Sequence, residues 1–137
     1  MTPEALATLH AAAFTDTRPW SAPEFAALLT SPHVFALGDT CAIALGRAVA
    51  DEAELLTIAT DPHHRRQGHA RTILQAFEAE ARQRGALTAF LEVDEANTAA
   101  IALYLAFGYT ETGRRAAYYT SASGVATAAV VMAHNLS

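Results

Sequence analysis

The chain has no lysine: all nine of its basic side chains are arginine, against fourteen Asp and Glu, for a formal charge of −5. A groove that follows a nucleic-acid backbone needs a basic excess, so no nucleic-acid partner is expected. Cysteine is nearly absent as well. Cys41 stands alone, which excludes an internal disulfide and reads as a small core or strand residue in a reducing compartment. Apolar residues make up 52% of the 137 positions, yet no run approaches the roughly 20 consecutive apolar residues of a membrane helix. The opening MTPEALATLH has neither a basic n-region nor a continuous apolar stretch, so no secretory signal is expected. Together these absences predict a cytoplasmic chain with no membrane partner, and its length fits one compact domain. What charge there is comes bunched, at Asp51, Glu52 and Glu54 and again at Glu92, Asp94 and Glu95. That balance suits a cationic partner or a plain solvated face.

Local signals divide the chain into ten elements without any repeat or linker. Thr2-Pro3-Glu4 reads as an N-cap followed by Pro at the first helical position, and Leu6, Leu9, Ala13 and Phe14 share a face, which predicts a helix over 3–14. Thr15 to Trp20 reads as a turn, and Ser21-Ala22-Pro23-Glu24 as a capping box opening a helix to about Thr30. Apolar runs at 33–37 and 41–50, broken by Gly38-Asp39, form an expected hairpin. A strand over 52–60 ends at Asp61-Pro62. From Gly68 to Arg84 the stripe Ala70, Ile73, Leu74, Phe77 and Ala81 is helical, and Gly85 closes it. A strand at 87–93, a helix at 97–107 capped by Asn97 and stopped at Gly108, and strands at 109–119 and 125–133 joined through Thr120–Gly124 complete the order αα, ββ, β-α-β-α-β-β. This is a mixed α/β (α+β) single domain with its β-α-β unit between 52 and 93.

The segment Asp61-Pro62-His63-His64-Arg65-Arg66-Gln67-Gly68-His69-Ala70-Arg71 lies between a strand and a helix. A loop there aims backbone N–H groups at one spot, at the positive end of the helix dipole. Gly68 and Ala70 leave no bulk above those donors, and Arg65, Arg66 and Arg71 add positive charge around them, as a diphosphate would require. A solvated basic helix start is the plain alternative. His63, His64 and His69 invite a metal, but adjacent histidines on a turn rarely converge, and no Cys or acid completes a familiar zinc spacing; no metal is expected. No G-x-S-x-G elbow supports a serine hydrolase.

Arg65-x-x-Gly68-x-Ala70 resembles the R/Q-x-x-G-x-G/A signature of the GCN5-related N-acetyltransferase (GNAT) superfamily. Co-linear matches follow at Leu55–Pro62, Leu91-Glu92-Val93, Asn97 with Ala100, and Ala102-Leu103-Tyr104-x-x-Phe107-Gly108-Tyr109, so the likeness spans about 50–133. Further strings are similar to the RimI branch, whose members acetylate the N-terminal alanine of ribosomal protein S18: Ala13-Phe14, Pro19-Trp20-Ser21, Phe25, Asp51-Glu52-Ala53 and Arg115-x-x-Tyr118-Tyr119. Departures stand at Ala117 (usually Asn), Ala128 (commonly acidic) and Asp94 (Arg in some relatives), and they bear on the acceptor more than on the chemistry.

The resemblance implies a GNAT fold: a central, mostly antiparallel sheet of six to seven strands, about four flanking helices, and a splayed pair of parallel strands at 52–60 and 87–93. It implies acetyl-CoA as acyl donor, its pyrophosphate on the backbone of about Arg66, Gln67, Gly68, His69, Ala70 and Arg71, with Arg65 adding charge beside it. The pantetheine arm would lie along the edge of Ile58, Ala59 and Thr60 and be held by Asn97. Glu92, the one acid in Ala89–Val93, would take the amine's proton, directly or through water; a carboxylate among apolar neighbours suits that exchange, although by itself it is an ordinary strand-end acid. Tyr104, two helical turns after Asn97 on the same face, would also line the CoA channel and donate to the leaving thiolate, or else be an aromatic core residue. Trp20, Arg115, Tyr118 and Tyr119 would contact the acceptor, with at most one of the paired tyrosines facing a given groove because strand residues alternate. The acceptor is a protein N-terminus such as that of S18, or a small amine; a non-catalytic acyl-CoA-binding module is the remaining alternative. A monomer or weak dimer is expected.

Overall fold

A computed structural model describes residues 2–14, 19–120 and 123–137. The turn expected over 15–20 and the loop over 120–124 fall in part outside the described residues, as does the side chain of Ala117. Two helices come first, α1 (Pro3–Ala13) and α2 (Ala22–Leu29), each begun by the cap its sequence announces. Thr2 Oγ1 accepts from Ala5 N at 3.1 Å, and Ser21 and Glu24 close a reciprocal capping box. Strands β1 (Val34–Gly38), β2 (Ala42–Val49) and β3 (Glu52–Thr60) follow, then α3 (His69–Gln83), β4 (Thr88–Asp94), α4 (Thr98–Ala106), β5 (Thr110–Thr120) and β6 (Ala126–Asn135). Every expected element is present, with ends displaced by a residue or two where terminal turns fray.

The six strands form one sheet in the order β1-β2-β3-β4-β6-β5. Among the described residues only β3 and β4 run parallel, joined through α3 as a β-α-β crossover; every other neighbouring pair is antiparallel. The parallel pairing is short. It runs from Glu52↔Thr88 to Leu55↔Leu91 and stops, although β3 continues to Thr60 and β4 to Asp94. The cause is visible one strand away. Leu45 pairs with Thr57 and Gly46 with Leu55, so Leu56 is an extra residue, a β-bulge at the point where β3 leaves β4. A bulge bends its strand and sharpens its twist, and here it carries the second half of β3 away from β4. That is the expected splayed pair.

Side-chain alternation on β2 separates two cores. Ala42 and Ala44 join the cluster under α3 and α4, which includes Ile73, Leu74, Phe77, Tyr104 and Tyr109; Ile43 and Leu45 join the other, with Leu6, Leu9 and Phe25 of α1 and α2. The sheet is thus covered on both faces. Gly46 is demanded by the first core: a Cβ there would meet the Phe35 ring at 2.5 Å and the Phe77 ring at 2.8 Å, two rings that stack 6.0 Å apart. Among the described residues no helix is long and apolar enough to cross a membrane.

Candidate active site

The bulge leaves β3 from Leu56 to Thr60 paired only with β2, so its other edge faces the gap with ladder N–H and C=O groups unused by β4. Ile58, Ala59 and Thr60 lie on this edge, where an extended amide-bearing chain can add as a strand. At the end of β3 the chain makes a short 3-10 turn over Pro62–His64, held by Asp61, whose Oδ1 accepts from His63 N at 2.8 Å. It then enters α3 through two left-handed residues, Arg66 (φ 63°) and Gly68 (φ 80°). Gly68 is the N-cap and supplies no side-chain cap; the first intrahelical bond is Thr72 N to Gly68 O at 3.0 Å. The N–H groups of His69, Ala70 and Arg71 are therefore the unsatisfied donors of the first turn, and left-handed residues beside them shape a concavity suited to an anion. A Cβ built on Gly68 meets no protein atom within 4 Å, so the space above these donors is open.

The arginines do not all gather there. Arg65 sends its guanidinium to the Ala13 carbonyl at the end of α1 (Nη2 to O, 3.0 Å), and Arg71 stacks over Phe107 at the end of α4, 5.5 Å from the ring centre. The charge expected around one spot is thus partly spent on tying the loop to its neighbouring helices.

Across the gap stands Glu92. Leu91 and Val93 turn into the core under α3, so Glu92 and Asp94 face the other side of the sheet. The surroundings of Glu92 are not simply apolar, as the sequence suggested: Arg115 Nη2 lies 2.6 Å from its Oε1. The sequence could not give this pair, because β5 lies two strands from β4. The register explains it. Asp94 and Arg115 both pair with Ala129 of β6, and a residue as small as Ala129 lets the long Arg115 side chain pass over to Glu92. Arg115 also lies over the Tyr118 ring at 5.1 Å.

The paired tyrosines do not alternate as expected. Their ring centres are 5.0 Å apart at 89°, because the β5–β6 register slips between Arg115 and Tyr119 and breaks the two-residue period. Tyr118 is exposed; Tyr119 is half-buried, and burial followed by the nearby Glu92 carboxylate pushes its phenol up to about 12. Tyr104 is buried, with its ring 5.8 Å from that of Tyr109, and burial first, then Tyr119, holds its phenol well above the ordinary value of about 10. Asn97, two turns earlier, is exposed. Its Oδ1 caps α4 by accepting from Ala100 N at 3.2 Å. Glu92, Arg115, Tyr118 and Tyr119 thus gather at the open end of β4, while Tyr104 approaches from the core under α3 and α4, near enough for Tyr119 to bear on its phenol.

Trp20 belongs to a different group. Its ring stacks on His10 at 5.2 Å and tilts against Phe25 at 5.5 Å, packed against the core of α1 and α2, and the Trp20 backbone N–H donates to His10 Nδ1 at 3.2 Å. The acidic bunches also divide. Asp51 and Glu52 lie at the far end of β3 from the gap, Glu54 pairs with Arg47 at 2.7 Å, and Glu95 pairs with Arg114 at 2.9 Å. One cluster escaped the sequence reading: Cys41 meets His64 and His69 beside the loop. Nothing in the sequence signals it: the turn at Ala50-Asp51 alone would set Cys41 opposite Thr60, and the bulge at Leu56 shifts the register by one and carries Cys41 to Asp61, where Asp61 N bonds Cys41 O at 2.8 Å.

A mixed sheet that opens between two parallel strands, with an uncapped glycine-started helix at its mouth, defines an acyltransferase fold. Residues 4–109 match the profile of the Acetyltransferase (GNAT) family, and the chain belongs to that family as an acetyl-CoA-dependent N-acetyltransferase. Over 110 residues it is 40% identical to the [Ribosomal protein bS18]-alanine N-acetyltransferase of Escherichia coli K12, covering 77% of this chain and 74% of the relative. It is 34% identical over 122 residues to the N-alpha-acetyltransferase RimI of Mycobacterium tuberculosis, covering 82% and 75%. The crystal structure of the ribosomal-protein-S18-alanine N-acetyltransferase from Escherichia coli superposes with a TM-score of 0.89 at 34% identity, over 98% of this chain and 88% of that one.

Proposed function

We propose that residues 1–137 form one catalytic domain that moves an acetyl group from acetyl-CoA to the N-terminal α-amine of a protein, the acceptor being ribosomal protein S18 in the cytoplasm. The observation that carries this reading is the gap between β3 and β4, with Glu92 on one lip and the open edge of Ile58–Thr60 on the other. Likeness to the bS18-alanine N-acetyltransferases over most of the chain supports the choice of acceptor. A small-molecule amine is the second reading, favoured by the likeness to nourseothricin acetyltransferase at 26% identity and a TM-score of 0.67. A non-catalytic acyl-CoA-binding module is the third, and Glu92 and Tyr104 together speak against it.

The residues suit the donor. Free amides at His69–Arg71 and the open space above Gly68 accept a diphosphate, the β3 edge accepts the amide-bearing arm, and Asn97 stands exposed beside it. Acetyl-CoA supplies the thioester. An α-amine loses its proton at about pH 7.7–8.0, far more readily than a lysine at about 10.4, so a single carboxylate suffices as base. Arg115 engages Oε1 of Glu92, and Oε2 has no hydrogen bond among the described residues, so that oxygen receives the proton, directly or through one water. The new C–N bond forms as the C–S bond breaks, and the departing sulfur takes its proton from the Tyr104 hydroxyl. Arg115, Tyr118 and Tyr119 flank the acceptor's path. Trp20 contributes through the α1–α2 wall.

A free-thiol assay with acetyl-CoA separates the readings, using an S18-like N-terminal peptide, its Nα-blocked twin and a panel of small amines. The proposal expects turnover with the unblocked peptide alone. Turnover restricted to small amines overturns the acceptor, and absence of turnover with any amine supports the binding module.

A further inference from the structure

Cys41 from the β1–β2 turn, His64 from the 3-10 turn and His69 from the first turn of α3 each bring a ligand atom within 4.8 Å of the other two. We propose that these three side chains form a binding site for a thiophilic divalent ion, Zn²⁺, with its fourth position open to water. The site does not depend on the acyl-transfer reading.

A thiolate and two neutral imidazoles are a preferred donor set for zinc, and three protein ligands with an open position are a recognised arrangement. Zinc bonds of about 2.0–2.3 Å in a tetrahedron put ligand atoms roughly 3.3–3.8 Å apart, so 4.8 Å is closed by small rotations of the side chains. All three residues are partly exposed, which gives an ion a way in.

The frame behind them is rigid. Asp39 Oδ1 accepts from Cys41 N at 2.8 Å and from Ala42 N at 3.3 Å, while the Cys41 carbonyl accepts from Asp61 N at 2.8 Å. Cys41 is thereby clamped from both sides, and His64 follows directly, its N–H donating to Asp61 O at 2.8 Å. The His69 ring already has the outer partner common in metal sites. Its Nε2 lies 3.2 Å from Gln67 Oε1, and with that N–H donating, Nδ1 carries the lone pair for an ion. The rings of His64 and His69 meet edge to face, 5.8 Å apart. The guanidinium of neighbouring Arg65 is engaged elsewhere, at the Ala13 carbonyl.

The test uses the full chain freed of metal with a chelator. Zn²⁺ is titrated in competition with a chromogenic chelator, and Co²⁺ in a parallel experiment reports ligation by sulfur through a thiolate-to-metal charge-transfer band. The proposal expects one ion per chain, the Co²⁺ band in the wild type, and affinity at least tenfold weaker in both Cys41→Ser and His64→Ala, with far-UV circular dichroism unchanged. The band is read on the unaltered chain, so it decides the question even where a variant folds poorly. Absence of one-to-one binding, absence of the band, or affinity that survives either substitution overturns the site.

Discussion

Burial fits the Tyr104 phenol to its proposed role as much as position does. A hydroxyl held well above its ordinary ionisation range stays protonated through every pH at which an enzyme of this kind operates, so the donor is always loaded. It is also a reluctant acid. The departing thiolate therefore gains chiefly a short hydrogen bond in a dry setting, with the proton following as the bond to carbon fails. Tyr104→Phe keeps the ring that packs near Tyr109 and removes only the donor. Steady-state kinetics of this variant should show kcat lower by about 10²-fold, the scale of one general acid, with acetyl-CoA affinity little changed. Because burial also lifts Tyr119, to about 12, neither phenol should produce an alkaline limb in the wild-type pH profile below about pH 10. Wild-type turnover by the phenylalanine variant would remove Tyr104 from the chemistry.

Among the elements, β3 and α3 do most to make the site, and both act through backbone. The bulge at Leu56 frees the strand edge, and Gly68 begins the helix without a side chain over the amides. At φ 80° any side chain at Gly68 is strained by about 1 kcal/mol, although a Cβ itself meets nothing. Gly68→Ala isolates that strain, and Gly68→Glu adds an anion where a diphosphate would lie. Calorimetric titration with CoA should show affinity falling modestly for alanine and by far more than tenfold for glutamate; equal affinity in all three chains would discredit the loop as the pyrophosphate seat. This loop was legible in the sequence because strand end, glycine and amphipathic helix are contiguous signals within about one turn of each other. The Glu92–Arg115 pair was not. It needs the strand order β4-β6-β5 and the smallness of Ala129, and neither periodicity nor spacing states which strand of a terminal hairpin lies inside. The meeting of Tyr118 with Tyr119 was hidden for a related reason: a register slip has no two-residue signature, so strict alternation misplaced one ring. Trp20 resembled a substrate contact in its local string, yet its aromatic neighbours come from two helices on either side of it.

Taken as a whole, the molecule titrates in strong alkali, beyond the range of its one thiol, through its four tyrosines, since it has no lysine and arginine stays charged. Tyr104 and Tyr109 are 4% and 1% exposed, and burial pushes both phenols far up; for Tyr109 the adjacent Glu78 carboxylate adds to the effect, though no hydrogen bond of acceptable geometry joins them. In the unfolded chain these phenols ionise near about pH 10. The sign follows directly. Below that pH both states are neutral and the contribution is complete; above it the unfolded state releases protons that the folded state keeps, so stability falls with rising pH until the folded phenols ionise too. Each such group costs about 1.4 kcal/mol per pH unit, and the two buried ones together about 3. Tyr119, half-exposed, adds less because solvent screens it. Urea unfolding followed by far-UV circular dichroism should therefore give a flat free energy through neutral pH and a decline of about that slope beginning near pH 10. Tyr109→Phe removes a buried hydroxyl without a partner, so it should cost little at neutral pH and make the alkaline decline shallower by about 1.4 kcal/mol per unit. A stability that stays level to pH 11, or folded and unfolded phenols that titrate together by tyrosinate absorbance, would mean that the core around α3 and α4 admits solvent and does not enclose these rings.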